Sequence, residues 1–302
     1  MGNGLRENIA EASVMKTLTD RHLLKGSPGS LGGEVKATFI VKLGGALISH
    51  KDDYCRPKIS IIQEFGRTIR SRWPELQGRL ILVLGGGSYG NGVPHRYNLR
   101  NSSQDWKPVD LPMMTIKTFE FMSLVTSIFR QEEIPCYPFQ TCSYLMSRDG
   151  RPNGSFIDPI KHALSIGVLP ILSGDMVFDS NRQFVIFSSD DIPEIFVGRI
   201  PLRRVVMLTN VPGVMNYSSS QHAVIARVTR DNYASVMDLA GASNQQDISG
   251  GMKNKVKALL RIAELGVESV ICDGRKPSAL MPALFEPSPP GTVIESLNRD
   301  HR

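Results

Sequence analysis

Three lysines and a few aspartates stand beside glycine-rich turns in this chain, and that combination is suited to handling phosphate. Lys42 sits in the apolar run Val41-Lys42-Leu43-Gly44-Gly45-Ala46, and Lys51 follows soon after. Lys255 closes Ser249-Gly250-Gly251-Met252-Lys253-Asn254-Lys255, and a further turn reads Gly85-Gly86-Gly87-Ser88-Tyr89-Gly90. Glycines at strand ends let backbone N–H groups approach phosphate oxygens with no Cβ in the way, and a following helix adds its positive end. A tight turn alone also asks for glycine, so a single turn carries little weight. Three turns, each with a lysine or hydroxyl nearby, point to polyphosphate. None fits the P-loop pattern or a Gly-x-Gly-x-x-Gly fingerprint opening a helix. Phosphoryl transfer needs cations around the migrating group and the leaving phosphate rather than covalent help. Lys51 and Lys255 also read as solvated surface charges. Lys42, inside an apolar strand, is costly unless its ammonium meets an anion.

Carboxylates follow apolar runs at Leu172-Ser173-Gly174-Asp175 and Phe187-Ser188-Ser189-Asp190-Asp191. An aspartate among the lysines would hold them in position and stand near a magnesium ion. Asp190 and Asp191 equally read as an N-cap and first-turn acid for a helix starting near Ile192, with Pro193 close to its first position. Asp179, in Phe178-Asp179-Ser180-Asn181-Arg182, reads as a hairpin-turn residue.

The elements that must carry these residues alternate in type. Strands are expected at Ala37 to Leu43, Arg79 to Leu84, Val168 to Leu172, Val205 to Leu208 and Ser269 to Ile271. Helices are expected at Ile59 to Arg72, Met113 to Arg130 and Met252 to Leu265. Buried strands alternating with helices give an α/β fold with a mostly parallel sheet covered on both faces. Ligands of such sheets bind beyond the carboxyl ends of the strands, where the glycine turns lie.

The chain has 302 residues, 41% hydrophobic and 21% charged, which argues against a disordered or fibrous protein. No apolar stretch approaches the roughly 18 residues of a membrane-spanning helix. The excess of 35 Lys and Arg over 29 Asp and Glu, a net +6, suits an anionic partner. The basic residues are scattered, which favours one small anion over nucleic acid. Cys55, Cys136, Cys142 and Cys272 lack metal-ligand spacing and read as reduced thiols of a cytoplasmic protein. Residues 1 to 36 read as a flexible tail, with Gly26 to Gly33 as linker.

With those residues in view, the chain resembles the amino-acid-kinase superfamily, in the branch holding isopentenyl phosphate kinase and the fosfomycin kinases. The resemblance rests on Val41 to Lys51, Gly85 to Gly90, Gly167 to Asp175, Leu208-Thr209-Asn210-Val211-Pro212-Gly213-Val214 and Asp247 to Lys255, in the family's order. It implies a three-layer αβα sandwich over 37 to 299, usually a homodimer. The acceptor half would run to about 185 and the nucleotide half from about 186 to 297. The γ-phosphoryl of MgATP would move to an oxygen of a phosphonate or phosphate monoester, making a phosphoanhydride. By the resemblance, Lys42, Lys51, Asp190 and Lys255 are catalytic, with Asp190 organising the lysines. Lys42, Gly44, Gly45, Ala46, Gly87, Thr209, Asn210, Gly213, Ser249, Gly251 and Lys255 would hold ATP. Gly86, Gly90, Asn91 and Ser189 would face the acceptor, and no residue is assigned as a metal ligand.

Three positions depart from the family pattern. Asn91 replaces a histidine that bonds the acceptor's phosphate or phosphonate, and Asn donates a hydrogen bond without positive charge. His95, four residues on, stands in only if the segment is helical; otherwise it is a surface residue. Asn210 and Pro212 replace two carboxylates of the nucleotide motif, and Leu84 replaces a histidine of the isopentenyl phosphate kinases. The sequence reading leans to a fosfomycin-type phosphonate, with isopentenyl phosphate as runner-up. Further alternatives are a carboxylate or hydroxyl acceptor and a non-catalytic ligand-binding relative. The helix carrying Phe121, Leu124, Val125 and Ile128 reads as core, or as a wall for a prenyl chain.

Overall fold

The computed structural model describes residues 35–99, 106–216, 223–242 and 251–298. The tail assigned to 1 to 36 lies outside them except for its last two residues, and Ser249 also lies outside. Short runs of Val, Ile and Leu without turn residues become strands, as a fully buried sheet requires. In chain order these are β1 (Thr38–Leu43), β2 (Leu80–Leu84), β3 (Cys136–Pro138), β4 (Leu145–Arg148), β5 (Arg151–Ser155), β6 (Leu169–Ser173) and β7 (Asp175–Asp179). There follow β8 (Gln183–Phe187), β9 (Leu202–Thr209), β10 (Met215–Asn216), β11 (Ala223–Val224), β12 (Arg227–Val228), β13 (Ser269–Asp273) and β14 (Thr292–Ile294). The longer helices are α1 (Ile59–Ser71), α2 (Gly87–Arg96), α3 (Pro112–Gln131), α4 (Asp158–Ser165), α5 (Tyr233–Ala242), α6 (Gly251–Glu264) and α7 (Leu280–Phe285).

Eight strands form the main sheet in the order β12-β14-β13-β9-β1-β2-β6-β3. Six run parallel from β13 to β3, and β14 and β12 run against them. On one face Phe39, Val41 and Leu43 of β1 and Leu82 of β2 pack with Phe65 of α1, Phe121 and Phe129 of α3 and Leu284 of α7. On the other, Ile40, Ile81 and Met207 pack with Ile160 of α4, Val236 of α5 and Val256, Leu259 and Ile262 of α6. Two separate cores on the two faces of one sheet make the three-layer sandwich expected from the sequence. Because side chains alternate along a strand, Lys42 shares the face of Ile40 and looks toward α6.

A second sheet, β5-β4-β7-β8, is not anticipated by the sequence reading. One strand, β5, reads Arg-Pro-Asn-Gly-Ser and stays half-exposed or exposed, while β7 and β8 carry short apolar runs, Met176 to Phe178 and Phe184 to Phe187, that the sequence reading leaves unassigned. Asp179 does close the β7–β8 hairpin, its Oδ1 accepting the N–H groups of Asn181 and Arg182 at 2.9 Å each. Its Oδ2 also takes the Ser147 hydroxyl and the Gly150 N–H, so one carboxylate joins two hairpins. These backbone and hydroxyl donors outweigh burial and hold the Asp179 carboxyl well below the usual range.

Candidate active site at the strand ends

The central strands end level with one another: Leu43 lies beside Leu84 of β2 and Leu208 of β9. Gly44 and Gly85 therefore leave the sheet at one height, beside Thr209, the last residue of β9. The first two turns then pack backbone on backbone. A Cβ on Gly45 would fall 2.2 Å from the Gly87 nitrogen, and one on Gly87, at φ +50°, would fall 1.9 Å from Ser49 Oγ. Ser49 bridges both turns, donating to the Gly45 carbonyl and accepting the Ser88 N–H, each at 2.9 Å. Much of the glycine in these turns thus serves their mutual approach. Gly90 differs, since a Cβ there meets nothing within 4 Å.

A cleft of about 520 Å³ opens over these strand ends. Lys42, Gly44, Gly45, Ala46, Lys51, Gly86, Gly87, Gly90 and Asn91 reach it from the first two turns and α2. Ser189 and Asp190 enter after β8, Thr209, Asn210 and Gly213 after β9, and Gly251 and Lys255 from the first turns of α6. The structure thus gathers every described residue that the sequence singled out for the site. Lys51 stands at the exposed rim. The N-termini of α2 and α6 both open on the cleft, adding partial positive charge there.

At its centre Asp190 lies between two lysines. Lys42 Nζ pairs with Asp190 Oδ1, and Lys255 Nζ lies 3.1 and 3.3 Å from its two oxygens. The three residues are only 5 to 8% exposed. Burial lowers the Lys42 ammonium from 10.5 to about 8, although Asp190 pulls the other way. Burial also pushes the Asp190 carboxyl up, but Lys255 and Lys42 outweigh it and hold the group well below the usual carboxylate range. Two cations facing one anion leave a buried positive excess.

The structure corrects two readings of the carboxylates. Asp190 and Asp191 do not cap an α-helix: Ile192–Phe196 is a 3-10 turn with no side-chain cap bond, and both carboxylates are taken up by cations. Asp175 does not join the lysines. It accepts from Thr115 Oγ1 at 2.9 Å and from the N–H groups of Met176 and Cys142 at 2.8 and 3.4 Å, tying the start of α3 to β7; burial pushes its carboxyl up.

His95 is helical but exposed and away from the cleft lining. Of the α3 residues, Phe121, Val125 and Ile128 are core and Leu124 packs against it. The part of α3 that reaches the cleft is Met114, in a buried cluster against which Ile186 of β8, also in the lining, packs, and the sequence reading names neither. It also misses Ser49, which lies inside a quoted motif at helical spacing from Gly45, and Arg261 of α6, which pairs with Asp191 and Glu194. The four cysteines are free thiols, and no described helix is long and apolar enough to cross a membrane.

The model of the Amino acid kinase family matches residues 37–273. The isopentenyl phosphate kinase of Methanothermobacter thermautotrophicus is 29% identical over 273 residues, covering 85% of this chain and 98% of that protein. That of Methanocaldococcus jannaschii is 24% identical, covering 72% and 84%. A solved structure described as isopentenyl phosphate kinase superposes with a TM-score of 0.71 at 24% identity, covering 85% of this chain and 99% of that one.

Proposed function

The chain belongs to the amino acid kinase family and is a phosphotransferase, and from that premise we propose that it moves the γ-phosphoryl of ATP onto a phosphate monoester, isopentenyl phosphate. The observation that carries this reading is the buried Lys42–Asp190–Lys255 group, set among glycine turns and two helix N-termini. The named relatives, matched over most of the chain, favour isopentenyl phosphate over the fosfomycin-type phosphonate to which the sequence reading leans.

In this reading an oxygen of the acceptor phosphate attacks the γ-phosphorus in line. The new P–O bond forms as the bond to the β–γ bridging oxygen breaks, and ADP leaves with that electron pair. A phosphate monoester is already anionic at neutral pH, so the attack needs no general base. That suits a cleft whose lining carboxylate, Asp190, is engaged by two lysines. Lys42 stabilises charge on the migrating group from a low-dielectric position where a fixed cation counts for most. Lys255 and the α6 N-terminus hold the β- and γ-phosphates, and Lys51 adds charge from the rim. Gly44, Gly45, Ala46, Gly87, Thr209, Asn210, Gly213 and Gly251 line the nucleotide. Gly86, Gly90, Asn91 and Ser189 face the acceptor phosphate, and Met114 and Ile186 face its apolar part.

Among the described residues no group of three His, Cys, Asp or Glu is placed to hold a metal. In this reading magnesium enters as part of the MgATP substrate, carried by the nucleotide's phosphates.

The test is ADP release from MgATP with fosfomycin, simple phosphonates, isopentenyl and dimethylallyl phosphate and N-acetylglutamate as acceptors. Release that depends on the prenyl phosphates supports the reading. Release with fosfomycin or N-acetylglutamate alone would replace the acceptor, and ATP binding without release on any acceptor would favour a non-catalytic relative.

A further inference from the structure

Behind the lysines runs a second set of ion pairs. Arg261 of α6 donates from Nε to Glu194 Oε2 at 3.0 Å and pairs through Nη2 with Asp191 Oδ1. The other Glu194 oxygen pairs with Arg151 of β5. These are not loose surface contacts: the Arg261, Asp191 and Glu194 side chains are 22, 25 and 16% exposed. One planar guanidinium reaching two carboxylates fixes an orientation that a point charge does not. The helix α6 is thereby fastened to the segment after β8 at two places. Lys255 meets Asp190 and, about 9 Å further along the axis, Arg261 meets Asp191 and Glu194. With the second fastening gone, α6 is held by its packed face, Val256, Leu259 and Ile262, and by Lys255 alone, and a small rotation on that face carries the Lys255 stem with it.

We propose that Arg261 is a positioning residue: by spanning Asp191 and Glu194 it sets the place and rotation of α6, and so holds the Lys255 ammonium against Asp190 and the nucleotide phosphates. The inference rests on the phosphate-holding role given to Lys255 above. Arg261 itself does not line the cleft.

The experiment is calorimetric titration of the full chain with a non-hydrolysable ATP analogue and, separately, with adenosine. Arg261→Ala is expected to weaken the analogue about tenfold while leaving adenosine within about twofold, at unchanged stoichiometry. Arg261→Lys restores charge but not the two-carboxylate fork, and recovers part of the loss. In a Lys255→Met background Arg261→Ala should add nothing, because both act through one contact. A merely structural role would lower the stoichiometry or weaken both ligands together, and either result overturns the proposal, as does additivity with Lys255→Met. If Arg261→Ala yields no folded protein, Arg261→Lys is read by the same criteria. A wild type that binds the analogue no better than adenosine removes the role of Lys255, and the proposed function falls with the inference. A wild type that discriminates, beside an unchanged Arg261→Ala, overturns the inference alone.

Discussion

At the end of β1, Lys42, Asp190 and Lys255 hold one another in a buried cluster, and the turns beside them touch backbone to backbone through Gly45 and Gly87. Elsewhere in the same cleft lining, Gly90, Asn91, Met114 and Ile186 carry no charge, and Gly90 has open space where a Cβ would go. The first region has one solution, because any change leaves a buried charge without its partner or drives a side chain into backbone. In the second, Gly90 and the exposed Asn91 tolerate change in size and polarity. In the proposed function, phosphate handling is thus fixed by the sheet, while the choice of acceptor rests on residues such as Asn91 that can vary without disturbing it.

Four tests, one of them a pair of glycine substitutions, probe that contrast. Lys42→Ala should lower kcat about 10³-fold in steady-state assays, since it removes the cation nearest the migrating group; retained turnover would dissolve the assignment of the centre. Gly87→Ala should destabilise the fold by about 1–3 kcal/mol in denaturant titration, because a positive φ and the Ser49 hydroxyl both oppose a side chain. Gly90→Ala should stay within about 1 kcal/mol of wild type, and equal losses at both positions would erase the distinction between the regions.

The pH profile is the third test. Lys42 loses its proton near 8 rather than near 10.5, so kcat/KM, which reports the free enzyme, should fall about tenfold per pH unit above that point. The sign for stability is opposite. Between the folded and unfolded values the unfolded chain binds more protons at this lysine, so its own contribution to stability rises with pH. Activity lost there with an unchanged thermal midpoint would identify deprotonation at the centre, and parallel loss of both would identify unfolding. The smallest effect is expected from Asn91→His, which offers the acceptor phosphate a charge-assisted bond and should raise turnover on isopentenyl phosphate by about threefold. No change would place the acceptor away from Asn91.

Much of the fold is legible in the sequence alone. The strands β1, β2, β6, β9 and β13 announce themselves as apolar runs, and α1 and α3 by their apolar spacing, each within a few residues. Lys42 stood out because a charge in such a run demands a counterion, although its partner Asp190 lies 148 positions away and was assigned by family resemblance. The second sheet escapes because β5 buries little and carries no pattern, and because the short apolar runs of β7 and β8 have no helix between them to mark a parallel pair. The capping reading of Asp190 and Asp191 failed for a related reason: local sequence cannot see Lys255 and Arg261 arriving from α6. Local rules found the elements, and long-range charge pairing decided what the carboxylates do.

The most direct measurement is phosphorus NMR of the product formed from MgATP and isopentenyl phosphate by the wild type and by Lys42→Ala. The account predicts that the monoester resonance gives way to two mutually coupled phosphoanhydride resonances with the wild type, and persists with Lys42→Ala. An unchanged monoester with the wild type, or the same conversion by Lys42→Ala, would contradict it.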